Sequence, residues 1–436
     1  MSDPGKGRPV HFVAWLIGER LIRGLVTVVA LAAVARHLQP AGFGVLNFAN
    51  SVVSLVVPLA QLGLDTVLVR ELVRNPSRTG SLLGTSFAIR LVSGVCLAAA
   101  LFGLSHVSTV IGSAQPALGP LCLILIAQAG EVSDCWFRSR VQSRTVVVLR
   151  GSLIVAGAGV KLALVAAGAG LVAFAWVYTA EAGAFALGLV ICSSRGRDRA
   201  PSWSFNASLA WRLMGEGWGF ALAGFLGALS VRADQIAVAG SLGDAAAGLY
   251  FGALRVMEIP IFVATSAAAA LFPALAVAED VDAMHVRLET VFGLMSAIAW
   301  ITAIGATLAG PWLIPTLLGG AYGDAWPVFA IHGWAALFYF SGMVRANYLA
   351  LRSAPGSQAA AAAATLAIQV VLNYILVPRF GISGAAMAFL ATQVLSAYFL
   401  PLALPSLRPC LRPQLRSLFA PWQPRRWREF MAAANS

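Results

Sequence analysis

Charge is scarce in this sequence. Only 11% of the 436 residues are Asp, Glu, Lys or Arg and 59% are hydrophobic, whereas an average soluble domain has about 25% and about 45 to 50%. A water-soluble core has no room for that much apolar surface, so a soluble globular fold is excluded. Cysteine is also scarce: the 5 cysteines show no C-x-x-C spacing, which argues against a disulfide framework and a zinc site.

Motifs that carry enzyme chemistry are missing too. The chain has no P-loop, no Rossmann glycine fingerprint, no metal-ligand cluster and no nucleophile elbow. Residues 104–116 contain no Asp, Glu, Lys or Arg, and residues 311–325 contain only Asp324. Membrane enzymes of glycan assembly place catalytic groups in long outer loops or attached domains. We therefore expect no enzyme activity, no cofactor and no bound metal.

Long apolar segments recur from one end of the chain to the other. About 20 residues of helix cross the hydrocarbon core of a bilayer, and these segments lack the alternation that a membrane barrel requires. The sequence therefore predicts an all-α polytopic membrane protein with about 12 transmembrane helices. The predicted helices span residues 13–36, 43–65, 80–103, 117–137, 147–168, 171–192, 214–240, 248–278, 288–310, 326–350, 357–377 and 384–405.

Basic residues between these segments are distributed unevenly. With the N-terminus inside, the cytoplasmic connections and termini hold 20 Lys and Arg residues, and the outer connections hold only Arg36 and Arg379. The positive-inside rule then predicts that both termini lie in the cytoplasm, and the localisation expected for the chain is the cytoplasmic (inner) membrane. Orientation also accounts for the net charge of +12, so nucleic acid is not expected as a partner.

The two halves of the chain resemble each other. The residues around Gly44 resemble those around Gly248, and residues 168–173 resemble residues 379–384. This spacing predicts two pseudo-symmetric six-helix bundles related by an axis along the membrane normal, an arrangement typical of transporters. The predicted domains are residues 1–200 (helices 1 to 6), residues 201–405 (helices 7 to 12) and a basic cytoplasmic tail, residues 406–436.

Several short motifs carry a resemblance to a known family. They are residues 36–44 (RHLQPAGFG), 62–65 (LGLD), 69–72 (VREL), 232–235 (RADQ), 248–250 (GLY), 272–274 (FPA), 373–378 (NYILVP) and 381–386 (GISGAA). Together they resemble Wzx-type polysaccharide flippases of the multidrug/oligosaccharidyl-lipid/polysaccharide exporter superfamily. The resemblance implies alternating-access transfer of an undecaprenyl-diphosphate-linked oligosaccharide from the inner to the outer leaflet for polysaccharide biosynthesis. It also implies membrane lipids and the polysaccharide polymerase or export machinery as partners.

Such a cargo requires cations for its diphosphate. Ionisable residues inside membrane spans are costly and usually face a water-filled cavity. For cations near a helix end, the alternative explanation is that the side chain snorkels to the membrane interface. For Arg255, the alternative is an ion pair with Glu258 that neutralises its charge. The predicted substrate-binding cations are Arg20, Arg23, Arg90, Arg232 and Arg255.

Four further ionisable residues are candidates for a coupling group or an ion pair. Lys161 and Glu181 can form a structural bridge, or Glu181 can exchange a proton during transport. Asp234 and Glu258 are the acidic neighbours of Arg232 and Arg255. Arg345, by contrast, lies near a cytoplasmic helix end and is expected at the interface.

Two rival cargoes remain within the superfamily. A multidrug or cation exporter should have mainly carboxylates in its spans, but this chain has at least as many Arg and Lys there as Asp and Glu. The lipid II flippase type usually has two further helices, which twelve predicted spans disfavour. A membrane enzyme of glycan assembly is the alternative outside transport.

Overall fold

The computed structural model describes residues 8–195, 200–276, 281–351 and 355–422. The description of side chains begins at Val26. Two predicted substrate-binding cations, Arg20 and Arg23, therefore lie outside the described side chains. The described part of the chain is helical and contains no strand, which confirms the all-α class.

The chain forms two compact units, one up to Phe225 and one from Leu226. The boundary lies inside a helix, and the assignment of residues 1–200, 201–405 and 406–436 to separate domains stays a prediction. The helices of the first unit are α1 (Arg8–Ala60), α2 (Leu64–Arg74), α3 (Thr79–Val107), α4 (Thr109–Gly112), α5 (Gln115–Ala127), α6 (Val132–Ser139), α7 (Ser143–Ala166), α8 (Leu171–Ser194) and the N-terminal half of α9 (Ala207–Leu242).

The second unit begins in the C-terminal half of α9. It continues through α10 (Asp244–Ala276), α11 (Val281–Leu318), α12 (Trp326–Leu351), α13 (Pro355–Ala403) and α14 (Arg408–Ser417). Short 3-10 turns at Gly320–Ala325 and Pro405–Leu407 connect some of these helices. The short helix α14 packs against α11 and α13, so this part of the basic tail is folded onto the unit.

Ten helices in the described part of the chain are long and apolar enough to cross a membrane. Two of them are interrupted, α1 at Gln39 with φ 56° and α13 at Gly381 with φ 60°. Pro40 lacks the N–H that would continue the helix after Gln39, and Gly381 adopts positive φ because it has no Cβ. Divided at these breaks, the ten helices supply the twelve segments predicted from the sequence.

The helix breaks also repeat between the two units. Gln39 has positive φ before the second predicted span, and Gly243 has φ 81° before the span at the corresponding place in the second unit. These two positions are spaced as Gly44 and Gly248 are. Gly168, with φ 67°, precedes the last span of the first unit as Gly381 precedes that of the second. The repeated breaks support two pseudo-symmetric six-helix bundles.

Large apolar side chains cover the outer faces of the helices. Ile301 and Leu308 on α11 are 75% and 77% exposed, whereas Arg90 and Asp234 are buried. This distribution is the reverse of that in a water-soluble protein, where exposed positions carry the charge. It follows that the outer faces are built for contact with hydrocarbon, and that Arg90 and Asp234 are among the charged groups that lie inside the units.

Candidate functional site

A cavity of about 490 Å³ lies inside the second unit. It is lined by α9, α10, α12 and the two parts of α13, and most of its lining residues are apolar, among them Met257 and Phe340. The polar lining residues are Ser230, Asp234, Gln235, Glu258, His332, Tyr339, Arg345, Thr365, Gln393 and Ser396. The cavity therefore offers a largely apolar wall with a small number of polar groups, as ligand sites commonly do.

The charged groups of this cavity lie at two levels. Asp234 and His332 are close together, whereas Arg345 lies further along α12. The helical rise of about 1.5 Å per residue places His332 and Arg345 roughly 20 Å apart along that helix. An acid and an imidazole thus occupy one level of the cavity, and a guanidinium occupies the other.

Asp234 is the buried acid of the first level, with 3% of its surface exposed. The Tyr250 hydroxyl donates a hydrogen bond of 2.5 Å to Asp234 Oδ2, and the backbone N–H of Gln235 donates one of 2.8 Å to Oδ1. The Nε2 atom of His332 lies 3.9 Å from Oδ2. These contacts stabilise a carboxylate in a place where burial alone disfavours it.

The ring of His332 is held in place by two further contacts. Its Nδ1 atom lies 3.1 Å from the carbonyl oxygen of Val328, and the ring stacks on Phe389 with centroids 4.8 Å apart. Since a carbonyl only accepts hydrogen bonds, Nδ1 carries a proton in either charge state of the ring. The other ring nitrogen, Nε2, faces Asp234 and Tyr250.

Arg255 and Glu258 form an ion pair on α10. The Nη1 atom of Arg255 lies 2.7 Å from Glu258 Oε1, and Glu258 also lines the cavity. Arg232, half-buried on α9, is within electrostatic range of Arg255, Asp234 and Glu258. The fold thus brings four predicted site residues together in one unit. Their role in binding cargo or in coupling stays a prediction.

Arg345 does not lie at the interface, and that expectation was wrong. Its side chain is buried, and its Nη1 atom donates hydrogen bonds of 2.8 Å to Gln414 Oε1 and 3.3 Å to Ser341 Oγ. Gln414 belongs to α14, which covers this end of the second unit. A hydropathy pattern does not reveal that a later segment folds back over a helix end, so sequence reasoning missed this cavity cation.

Tyr250 and His332 were also missed as site residues. Tyr250 lies in the GLY motif that carried part of the family resemblance, and His332 lies about two turns inside an apolar span. An isolated histidine in such a span is a usable signal, because polar groups at membrane depth require a partner. The identity of that partner, Asp234, depends on the packing of α9 against α12 and is not encoded in local spacing.

Arg90 lies in the first unit and is completely buried. Its Nη2 atom lies 2.6 Å from Asp65 Oδ1, and its Nε and Nη1 atoms have no hydrogen-bond partner within the described residues. The thiol of Cys135 donates a further hydrogen bond to the same carboxylate oxygen, at 3.4 Å. Arg90 therefore joins α3 to α2 in this conformation. Its binding of a diphosphate stays a prediction.

Lys161 and Glu181 connect α7 and α8 in the first unit. The Nζ atom of Lys161 lies 2.8 Å from Glu181 Oε1, and it also lies 4.3 Å from the ring centroid of Tyr178. The carboxylate and the aromatic face both stabilise the ammonium group. The structure thus contains the ion pair, and whether Glu181 exchanges a proton during transport stays a prediction.

The sequence also matches a family model. The model described as polysaccharide biosynthesis protein matches residues 33–327, which is more than half of the chain. No curated protein sequence is significantly similar to the chain.

The chain is similar to solved structures of membrane transporters. An inward-facing multidrug resistance MATE family transporter of the MOP superfamily has a TM-score of 0.70 at 14% identity, over 90% of this chain and 94% of that one. The lipid II flippase MurJ, in an inward closed conformation, has a TM-score of 0.64 at 10% identity, over 92% and 90%.

A third similar structure is a MOP superfamily transporter from Pyrococcus furiosus, described by the reverse polarity of its binding pocket. It has a TM-score of 0.58 at 14% identity, over 92% of this chain and 93% of that one. At such low identity these likenesses establish a common fold and leave the cargo open.

Proposed function

Since the chain belongs to the family of polysaccharide biosynthesis proteins, whose model matches residues 33–327, we propose that it is a flippase for an undecaprenyl-diphosphate-linked oligosaccharide. It transfers this lipid from the inner to the outer leaflet of the cytoplasmic membrane by alternating access. Both termini are in the cytoplasm. The family match carries the proposal, and the fold shared with transporters of the MOP superfamily supports it.

The charge arrangement of the second unit fits this cargo. A diphosphate is attracted by fixed cations, and Arg232 and Arg255 lie within electrostatic range of each other. Guanidinium groups remain charged at any physiological pH and bind phosphate oxygens through paired N–H donors. In this proposal the two arginines bind the diphosphate, and the Arg255–Glu258 ion pair opens when the cargo arrives.

Asp234 is the coupling group of the proposal. It is buried beside Tyr250 and His332, so uptake of a proton or another cation changes the net charge of a largely apolar cavity. Such a change alters the balance between two conformations of the unit, because the ion binds one of them more tightly. Transport then depends on the cation gradient across the membrane.

The rival function is export of cationic drugs. Asp234 and Glu258 both line the cavity of the second unit, and carboxylates in a largely apolar pocket suit organic cations. The MATE family transporter of the same fold gives this rival independent support. The two functions differ in the charge of the cargo, so a direct transport assay separates them.

The deciding experiment reconstitutes the full chain in liposomes with a fluorescent polyprenyl-diphosphate oligosaccharide. Dithionite added outside quenches only the outer leaflet, so flipping appears as quenching beyond one half of the label. We expect Arg255→Gln to reduce flipping at least tenfold, by the loss of a charged hydrogen bond worth about 1.5 to 3 kcal/mol.

Arg379→Gln is the matched control, because it removes an exposed arginine of a predicted outer connection. The Arg255 assignment fails if both variants flip the lipid at the wild-type rate. The flippase proposal itself fails if the wild-type protein leaves the labelled lipid in place while it accumulates ethidium in the same liposomes.

A further inference from the structure

A second pocket, of about 390 Å³, lies in the first unit. Leu72, Val73 and Thr79 form one side of it, and Trp136, Ser139 and Arg140 lie on the other. These residues come from α2 and the start of α3 and from α6 and the turn that follows it. By the positive-inside rule this end of the unit is predicted to be cytoplasmic. The pocket is separate from the cavity and the charged groups of the proposed transport site.

The charge of this pocket is positive. None of its lining residues is Asp or Glu, and Arg140 has its guanidinium carbon 5.3 Å from the centre of the Trp136 ring. Within the described chain Arg140 makes no ion pair or hydrogen bond, whereas the nearby Arg138 pairs with Asp134. This cation–π contact leaves the N–H groups of Arg140 available to an anion.

Trp136 supplies a second unsatisfied donor. Its side chain lines the pocket and is 2% exposed, and its Nε1–H has no hydrogen-bond partner among the described residues. A buried indole N–H is normally paired, so an acceptor that reaches Nε1 from the pocket removes an existing penalty. The ligand atom at this position must be a hydrogen-bond acceptor, such as a phosphate oxygen, because Nε1 only donates.

The start of α3 adds to the positive potential. Thr79 is the first residue of this 29-residue helix, and the preceding residue Arg78 provides no side-chain cap. The N–H groups of Arg78 and Thr79 already donate to the carbonyls of Asn75 and Pro76, so this helix end contributes a partial positive charge, which favours phosphate, rather than free donors. Arg140, the Trp136 indole N–H and the α3 end thus combine in one pocket with no carboxylate.

The surroundings of the pocket indicate where its ligand comes from. Val73, which lines the pocket, is 59% exposed, and Val141, next to Arg140, is 89% exposed. Exposed valines beside a cationic pocket match a lipid, whose headgroup is anionic and whose chains are apolar. We propose that this pocket binds a phosphate group, and that the phosphate belongs to an anionic membrane phospholipid.

The test measures lipid binding to the purified full chain in detergent. Phosphatidylglycerol is titrated against diacylglycerol of the same acyl chains, and bound lipid is counted by native mass spectrometry. We expect phosphatidylglycerol to bind and diacylglycerol not to bind. Arg140→Gln should weaken phosphatidylglycerol binding at least about tenfold, since a charged hydrogen bond is lost, and Arg140→Lys should restore part of the affinity.

Arg74→Gln is the control, because Arg74 is an exposed arginine of α2 that does not line the pocket. It should bind phosphatidylglycerol as the wild type does. Trp136→Phe keeps an aromatic ring for the cation and removes the N–H, so it should also weaken binding. Arg140 is exposed, so its variants are expected to fold, and their thermal unfolding is recorded alongside.

A separate arm identifies the source of the phosphate. Inorganic phosphate is added at constant ionic strength, with a chloride salt as the reference. If millimolar inorganic phosphate displaces the lipid and stabilises the wild type but not Arg140→Gln, the site takes soluble phosphate and the lipid assignment is wrong. If Arg140→Gln and Trp136→Phe both bind phosphatidylglycerol as the wild type does, or if diacylglycerol binds equally well, the phosphate site is overturned.

Discussion

The carboxylate of Glu181 lies directly against the backbone of Gly157. A Cβ atom added to Gly157 would come within 1.6 Å of Glu181 Oε1, a distance that no two non-bonded heavy atoms tolerate. The carboxylate occupies this position because it also binds Lys161. The absence of a side chain at Gly157 is therefore a condition for the ion pair between α7 and α8.

We predict that Gly157→Ala destabilises the first unit. The added methyl group must displace Glu181 from Lys161, and overpacking of this kind costs about 1 to 3 kcal/mol. The measurement is the thermal unfolding midpoint in detergent. Gly159→Ala is the control, since nothing lies within 4 Å of that position. Equal midpoints for the two variants would contradict the assigned packing.

The pair of Asp65 and Arg90 leads to a second prediction. Arg90 is fully buried and forms an ion pair with Asp65, so Asp65→Asn removes the carboxylate that faces a buried cation. Breaking a fully buried pair costs about 3 to 5 kcal/mol, and we expect the lower end of that range because the Asp65 side chain is 39% exposed. The double variant Asp65→Asn/Arg90→Met removes the charge as well and should recover much of the loss. An unfolding midpoint lower in the double than in the single variant would refute this.

Tyr250 provides a third prediction. Tyr250→Phe removes the 2.5 Å hydrogen bond to Asp234, and hydrogen bonds to charged groups contribute about 1.5 to 3 kcal/mol. We expect lower stability of the second unit and slower flipping in the liposome assay. Tyr374→Phe serves as the comparison, because Tyr374 is 84% exposed. If the two variants behave alike, the Asp234 cluster does not contribute to stability or transport.

The fourth prediction concerns α14 and its cysteine. Burial raises the pKa of the Cys410 thiol to about 12, so at pH 8 almost none of it is thiolate and it should resist maleimide. Gln414→Ala removes the hydrogen bond to Arg345 and should loosen α14. The pKa of the thiol then falls towards its ordinary value of 9.0, and the thiolate fraction rises.

Site-resolved mass spectrometry of maleimide labelling over a range of pH measures this effect. Leu415→Ala is the control, because Leu415 lies on the exposed side of α14. The expected result is fast labelling of Cys410 in Gln414→Ala alone, increasing from pH 7 to pH 9. Slow labelling in both variants would mean that other contacts hold the helix.

The positions of the helices could be predicted because they depend on local pattern. Apolar segments of sufficient length form helices wherever they cross hydrocarbon, since every backbone group must be paired within the segment. Even the breaks in α1 and α13 were foreseeable, because Gln39–Pro40 and Gly381 carry their conformations in the sequence. Likewise, short motifs sufficed to indicate the family.

The partners of the buried charges could not be predicted in the same way. Arg90 faces Asp65, and in the other unit Asp234 faces Tyr250 and His332. Both arrangements depend on how separate helices pack. Arg345 is buried because α14 returns over it, which no local pattern near Arg345 indicates. Spacing along one helix shows which residues share a face, but it carries no information about the element that covers that face.

The sequence alone thus determined that the chain lies in a lipid bilayer, and it determined the fold class and the family. Hydropathy, helix length and motifs suffice for this because they are properties of consecutive residues. Tertiary structure alone decided which charges are neutralised, which line a cavity and which remain available to a ligand. The physical reason is that a buried charge is tolerated only with a partner, and in this chain most of these partners belong to other helices.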